Sequence, residues 1–289
     1  MNTPQCFTYK PAMPLARFVE RIWILHDDTL AYSAKIFPDG IAQLVLNLGA
    51  PYNVERADGV TASFTAGSLS GERMRALTVK QARSCHQIGV RFRPGGAFPF
   101  IGIPLGQFQE AIVDIELVWS HSEVETLRER LSVAASAREQ CMIVEQALLS
   151  RAGRNLQTNS TVEIAMRYLS ASDEPSITQI AESIGISHKH LLRQFDTYVG
   201  LNPKALAQLQ RFQRSLAMLN TREDLSLTEI AYECSYYDQS HFVHEFERFT
   251  GMKPSAYLGS RRKALPSLAQ PQYAPIEDYL RNLVSVAAP

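Results

Sequence analysis

The sequence predicts an α+β N-terminal domain, strand-rich and then helical, followed by an all-α C-terminal domain. Three observations predict it. Short apolar or alternating runs set off by proline and glycine turns fill the first hundred residues, helical spacing takes over from Gln107, and the C-terminal third repeats itself at an interval of 50 to 51 residues. A chain of 289 residues with 45% hydrophobic content is long enough for two cores.

In the first hundred residues the candidate strands are 19–26, 41–48, 74–80 and 85–92. Pro38-Asp39-Gly40 and Pro94-Gly95-Gly96 punctuate them as turns. Beyond Gln107, Leu127, Leu131 and Ala134, then Ile143, Ala147 and Leu148, recur at helical spacing. The polar stretch from Arg151 to Ser160, with Gly153 inside it, reads as an interdomain linker and hinge. The division is therefore 1–150, a linker at 151–159, a helical domain at 160–263 and a tail at 264–289. In the tail, Pro266, Pro271 and Pro275 predict an extended segment, and Ile276, Tyr279, Leu280 and Leu283 a short amphipathic turn.

Helix punctuation is dense after the linker. Ser160 with Glu163, Ser176 with Gln179 and Ser226 with Glu229 match the capping-box spacing, in which a hydroxyl accepts from the third helical amide. Pro203 and Pro254 suit first helical positions, and Gly200 and Gly251 suit left-handed helix stops.

The repeat organises these signals. Thr178, Ile180 and Ala181 match Thr228, Ile230 and Ala231 at an offset of 50. After one inserted residue, Ser187 pairs with Asp238, Leu191 with Phe242, Phe195 with Phe246, Tyr198 with Phe249, Gly200 with Gly251 and Pro203 with Pro254. Each copy reads as a short helix (177–184; 227–234), a tight turn and a second helix capped by Ser187 or Asp238, which is the helix-turn-helix pattern. Ile180, Ile184, Leu191 and Phe195 supply a small core between the first pair. The other face of each second helix is polar: His188, Lys189, Leu192 and Arg193, then Gln239, Ser240, His241 and His244. A polar face is ordinary for a surface helix. Here both faces begin at a helix N-terminus, where free amides and the dipole suit a phosphate and the first turns reach base edges. The helix from Pro203 to Leu219 joins the copies; Arg214 is a candidate phosphate contact and Arg211 a partner for an acid within the domain.

The stretch from Ile177 to Tyr257 resembles the DNA-binding domain of the AraC/XylS family of bacterial transcription regulators. The resemblance rests on Ile230-Ala231, Asp238-Gln239-Ser240-His241-Phe242, Phe246 and Thr250-Gly251-Met252-Lys253-Pro254-Ser255-Ala256-Tyr257. Ile180-Ala181, Gly185, Ser187, His190-Leu191, Arg193, Phe195, Gly200 and Pro203 add the first copy. It implies a seven-helix domain whose two recognition helices enter successive major grooves. It assigns base contacts to Lys189, Leu192, Arg193, Gln239, Ser240, His241 and His244; Ser187, His188 and Arg214 are the candidate phosphate contacts. Arg193 suits guanine, Gln239 adenine, and Leu192 only a thymine methyl. His244 stands where the family often has a basic residue, which predicts a weaker or pH-dependent contact. Ser235-Tyr236 replaces the usual Gly-Phe; a left-handed Ser235 would cost about 1 kcal/mol, and Tyr236 must place a hydroxyl.

Phe18-Val19-Glu20-Arg21-Ile22-Trp23, Phe37-Pro38-Asp39-Gly40 and Gly89-Val90-Arg91-Phe92-Arg93-Pro94-Gly95-Gly96 are similar to an N-terminal domain of undefined function on a subset of these regulators. In the wider family this domain, often a cupin-like barrel, binds an effector or dimerises. Trp23, Asp39, Arg91 and Arg93 are the effector candidates, with the 94–96 turn as a nest of amides. The competing reading is a strand-ending turn with solvated arginines and a core tryptophan. The implied partners are double-stranded DNA, a small-molecule effector, RNA polymerase and a second copy of the chain.

Net charge is zero, and residues 176–263 carry 11 Lys or Arg against 9 Asp or Glu, so non-specific DNA affinity should be modest. Cys6, Cys85, Cys141 and Cys234 lack metal or redox spacing and are expected as reduced thiols. Cys234 with His241 and His244 makes a poor metal site, since a fourth ligand is missing. No cofactor, signal peptide or membrane span is expected, which suggests the cytoplasm. No phosphate loop or nucleophile elbow marks an enzyme. The alternative from another class is a DNA-associated enzyme or alkyl-transfer sensor, with Cys85 as its only candidate thiol.

Overall fold

A computed structural model describes residues 5–27, 32–153, 156–171, 176–222, 224–259 and 283–285. Two antiparallel sheets and three helices form the N-terminal domain. One sheet has the order β1 (Gln5–Tyr9), β2 (Val19–Asp27), β9 (Cys85–Phe92), β4 (Gln43–Asn47), β7 (Gly67–Ser70), β10 (Ile112–Asp114). The other runs β11 (Leu283–Ser285), β3 (Tyr32–Ile36), β8 (Leu77–Gln81), β5 (Tyr52–Arg56), β6 (Thr61–Phe64).

The difference in legibility between strands has a physical cause. Ile22 and Ile24 on β2 pack with Phe100, Val124, Leu127 and Leu148 of α1 (Phe98–Ile101), α2 (His121–Ser132) and α3 (Ala137–Ala152). Trp23 and Leu25, on the other side of the same strand, are also buried, so β2 is one apolar run. β5 instead alternates, with Tyr52 and Val54 buried and Asn53 exposed. Strands β1, β3, β5, β6, β7 and β10 escape the sequence reading: each is five residues or fewer and several are mostly polar, whereas the equally short β4 carries the unbroken run Leu44-Val45-Leu46. Ser120 and Glu123 cap α2 with a complete box, and Ser136 caps α3.

The C-terminal domain has α4 (Ser160–Ala171), α5 (Ile177–Ile184), α6 (His188–Tyr198), α7 (Pro203–Thr221), α8 (Leu227–Glu233), α9 (Gln239–Thr250) and a last helix, α10, over 254–259. These are the seven helices the resemblance implies. Ser176, Ser187, Ser226 and Asp238 each accept from the third helical amide. Ser160 does not cap α4: Asn159 does so, accepting from the Val162 amide at 3.1 Å, and Ser160 is already helical. Gly200 and Gly251 take positive φ, 85° and 69°.

The expected linker begins too early. Arg151 and Ala152 complete α3, and Arg151 donates to the carbonyls of Phe100 and Val118 and to Glu123. Arg17 reaches across to Thr158 and Glu163. Nor are the two cores separate, because Phe37 and Ala76 lie in the same apolar cluster as Leu206, Phe212, Phe246, Phe249 and Tyr257. Of the tail, 283–285 pair with β3 as a strand, so Leu283 is not in a helical turn; the rest of that prediction lies outside the described residues.

Candidate DNA-reading surface

Each helix-turn-helix unit closes its turn with the same backbone hydrogen bond. Ile186 N donates to Ala181 O at 3.0 Å in the first unit, and Tyr236 N to Ala231 O at 2.9 Å in the second. Gly185 turns the first with φ 79° and Ser235 the second with φ 56°. The predicted left-handed serine is therefore present. Its carbonyl accepts from Arg211 Nη1 at 3.4 Å, and the Arg211 guanidinium lies 4.6 Å above the Tyr236 ring. Burial raises the pKa of the Tyr236 hydroxyl, with the Ser215 hydroxyl beside it opposing the shift.

Burial of Leu191 and Phe195 turns Lys189, Leu192 and Arg193 outward on α6. Burial of Phe242 and Phe246 does the same for Gln239, Ser240 and His244 on α9. Ser187 and His188 are exposed at the start of α6, and the Ser187 oxygen also caps the helix through His190 N at 3.2 Å. Arg214 is half-buried on α7.

Three of these side chains are already oriented. Arg193 Nη2 lies 3.1 Å from His190 Nδ1. The Gln239 amide oxygen accepts from Thr228 Oγ1 at 2.6 Å, which uses one of its two lone pairs and aims the amide. His241 is half-buried: its Nδ1 accepts from Tyr237 N at 3.3 Å and its ring meets Tyr236 edge-on. That places His241 in the turn's own structure more than on its outer surface. Sequence reasoning overlooked Thr228 as a support, although its match with Thr178 was a signal, and it overlooked Tyr237, the inserted turn residue, which is 92% exposed.

The N-terminal domain grips the opposite end of both recognition helices. Phe98 packs on Tyr198 with ring centroids 4.6 Å apart, at the last turn of α6. Beyond it, Gly200 faces the Leu105 carbonyl and Glu72 so closely that an added Cβ would lie 2.5 Å from the Glu72 carboxyl. Burial pushes that carboxyl well above the ordinary range, and the charge of Asp39 adds to the shift. At the end of α9, Ala76 N donates to Phe249 O at 2.8 Å. Both recognition helices are thus covered at their C-terminal ends and open at their N-terminal turns.

The four effector candidates do not form one pocket. Arg91 is bound to Glu20 at 2.8 Å and to Asp39, and although burial opposes its charge, these two carboxylates hold its pKa above the ordinary guanidinium value. Asp39 lies in the loop whose Pro38 carbonyl accepts from Gln213 on α7 at 2.5 Å, so this network braces a domain contact. Arg93 donates to the Ala16 carbonyl. The 94–96 turn is no open nest: Gly96 N is bonded to Arg93 O, and an added Cβ on Gly96 would lie 2.3 Å from Phe18 O. Trp23 is core, lying so close over Gly89 that a Cβ there would fall 1.9 Å from its ring.

Cys85 is fully buried beside Trp23 and Leu25, which removes the exposed thiol that alkyl transfer requires. Cys234 is also buried, with its sulfur 3.4 Å from that of Met218. Among the described residues no group of three or more His, Cys, Asp or Glu is arranged to hold a metal, and no helix is long and apolar enough to cross a membrane.

Residues 180–260 match a helix-turn-helix domain, and residues 7–114 match a domain of unknown function (DUF6597). Among curated relatives, the transcriptional activator RhaS of Escherichia coli is 25% identical over 139 residues, 46% of this chain and 50% of that one. The transcriptional regulator MtrA of Neisseria gonorrhoeae is 29% identical over 85 residues, 29% of this chain and 28% of that one. The chain thus spans half or less of the length of these relatives. A solved structure of ToxT from Vibrio cholerae aligns over 84% of this chain and 97% of its own, at a TM-score of 0.44 and 13% identity. The C-terminal part of the chain is a helix-turn-helix domain, carried behind a stretch that matches a domain of unknown function.

Proposed function

We propose that the protein is a sequence-specific DNA-binding transcription regulator whose N-terminal domain responds to a small effector. The observation that carries this reading is the shared polarity of α6 and α9, both open and polar at their N-terminal turns and both held by the other domain at their C-terminal ends. In this reading Lys189 and Arg193 make the charge-assisted base contacts of the first unit, and Leu192 meets a thymine methyl. Gln239 and Ser240 read for the second unit, with His244 weaker and His241 confined to its edge. Ser187, His188 and Arg214 hold phosphates. The domain contacts run through Phe37, the 72–76 segment and Leu105, so an effector acts by shifting how the two recognition helices are presented.

Selection of bound duplexes from a random pool by the full chain tests the reading. A recovered motif with two half-sites about one helical turn apart is expected. Recovery of no motif, with salt-insensitive binding, would overturn it.

A further inference from the structure

A cleft of about 400 Å³ opens where the N-terminal domain meets the end of α9. Four arginines line it: Arg56 at the end of β5, Arg73 and Arg75 between β7 and β8, and Arg248 on α9. Its two acids are already engaged, Asp58 with the cleft's own Arg56, so the positive charge left over comes from Arg73, Arg75 and Arg248. Asp58 binds Arg56 at 2.6 Å and accepts from Val60 N, and Glu110 accepts from Met74 N at 2.6 Å. Arg248 shares Glu245 at 3.2 Å and remains 47% exposed. Arg75 is exposed and makes no hydrogen bond or ion pair among the described residues. Met74, Leu77 and Ile112 add apolar wall between the charges.

We propose that this cleft binds a small organic anion, a phosphate or carboxylate bearing a short apolar group. Guanidinium groups on two sides would hold the anion by charge-assisted bonds, while the apolar wall takes the tail. The cleft straddles the joint made by the Ala76 to Phe249 hydrogen bond, so an occupant touching both Arg75 and Arg248 ties the N-terminal domain to α9. Arg248 lies nine residues past Gln239, or about 14 Å along the helix, so the site is remote from the DNA-reading turn. Its regulatory consequence rests on the function proposed above; its ligand binding does not.

Calorimetry on the full chain with butyl phosphate, butanol and butylammonium tests the site. Saturable binding of butyl phosphate is expected, at least tenfold tighter than butanol, with no butylammonium binding. Arg75→Gln should weaken it about tenfold at an unchanged melting temperature, Arg248→Gln should weaken it about tenfold with a lowered melting temperature because it also takes a partner from buried Glu245, and Arg75→Lys should recover part of the loss. Equal affinity for butanol, or unchanged affinity in both glutamine variants, overturns the proposal. Competitive displacement of butyl phosphate by duplex DNA overturns it too, by making the cleft a DNA contact. DNA binding by the same ligand-free samples is read separately. Its absence would refute the regulator reading and leave the anion site standing.

Discussion

The two helix-turn-helix units share a backbone plan and differ in how they hold it. In the first, Gln194 on α6 accepts from the amide of Asn159 at 2.6 Å, a neutral bond at the start of α4. The position 51 residues later is Glu245, and there the bond becomes an ion pair with Arg211 at 2.8 Å, with side chains only 7% and 10% exposed. The first turn uses Gly185 and the second Ser235. The first outer face carries Lys189 and Arg193, whereas the second has an amide aimed by Thr228 and a histidine held by its own turn. Duplication preserved the apolar positions, which the fold requires. The polar positions were free to diverge, giving one unit suited to charge-assisted contact and one more rigidly organised from within.

The largest expected effect tests the buried pair. Glu245→Ala should destabilise the chain by about 3–5 kcal/mol, because it strands the Arg211 charge in the core. Gln194→Ala should cost only about 1 kcal/mol, the loss of a neutral hydrogen bond. Urea unfolding checks both, and equal costs would erase the distinction between the units. Arg193→Ala should weaken DNA binding by about 1–3 kcal/mol and relax preference at one base pair. Gel-shift competition against the selected site reads it; unchanged selectivity would remove Arg193 from the readers.

The turns come next. Gly185→Ser should lose about 1 kcal/mol, and Ser235→Gly should be neutral or gain up to about 1 kcal/mol, since only the serine backbone is unfavourable in the left-handed region. A clear loss of stability in Ser235→Gly, read by thermal melts, would show that the serine side chain more than offsets its backbone cost. The smallest effect concerns the thiols. Burial raises Cys6 to about 11 and Cys141 to about 12, so both stay protonated at neutral pH and alkylate slowly until pH approaches those values. Fully buried Cys85 should resist iodoacetamide in the native chain and react after unfolding; rapid native labelling would revive the alkyl-transfer alternative.

The C-terminal domain was largely legible because its signals are local. Ser187, Ser226 and Asp238 act on amides three residues away, and Gly200 and Gly251 turn their own backbone. The error at Ser160 is of the same kind: Asn159 is an equally good cap one residue earlier, and spacing alone does not choose between them. In the N-terminal domain the strands with long apolar runs, β2 and β9, stood out, and β4 and β8 were found beside them. The partners of the effector candidates were not legible, because an arginine, an aspartate and a glycine turn look alike whether they bind a ligand or brace a contact.

From the residues alone came the two-domain order, the repeat, the helix ends and the outward faces of α6 and α9, since each depends on neighbours within about a helical turn. Tertiary structure decided the rest. Arg91 meets partners 71 and 52 residues away, Phe37 completes the core of the other domain, and the cleft gathers arginines from three segments around the end of α9. Those contacts depend on docking two apolar surfaces, and no local spacing in the chain encodes which surface meets which. The polar N-terminal turns of α6 and α9 are therefore written in the sequence, while the grip on their other ends exists only in the folded molecule.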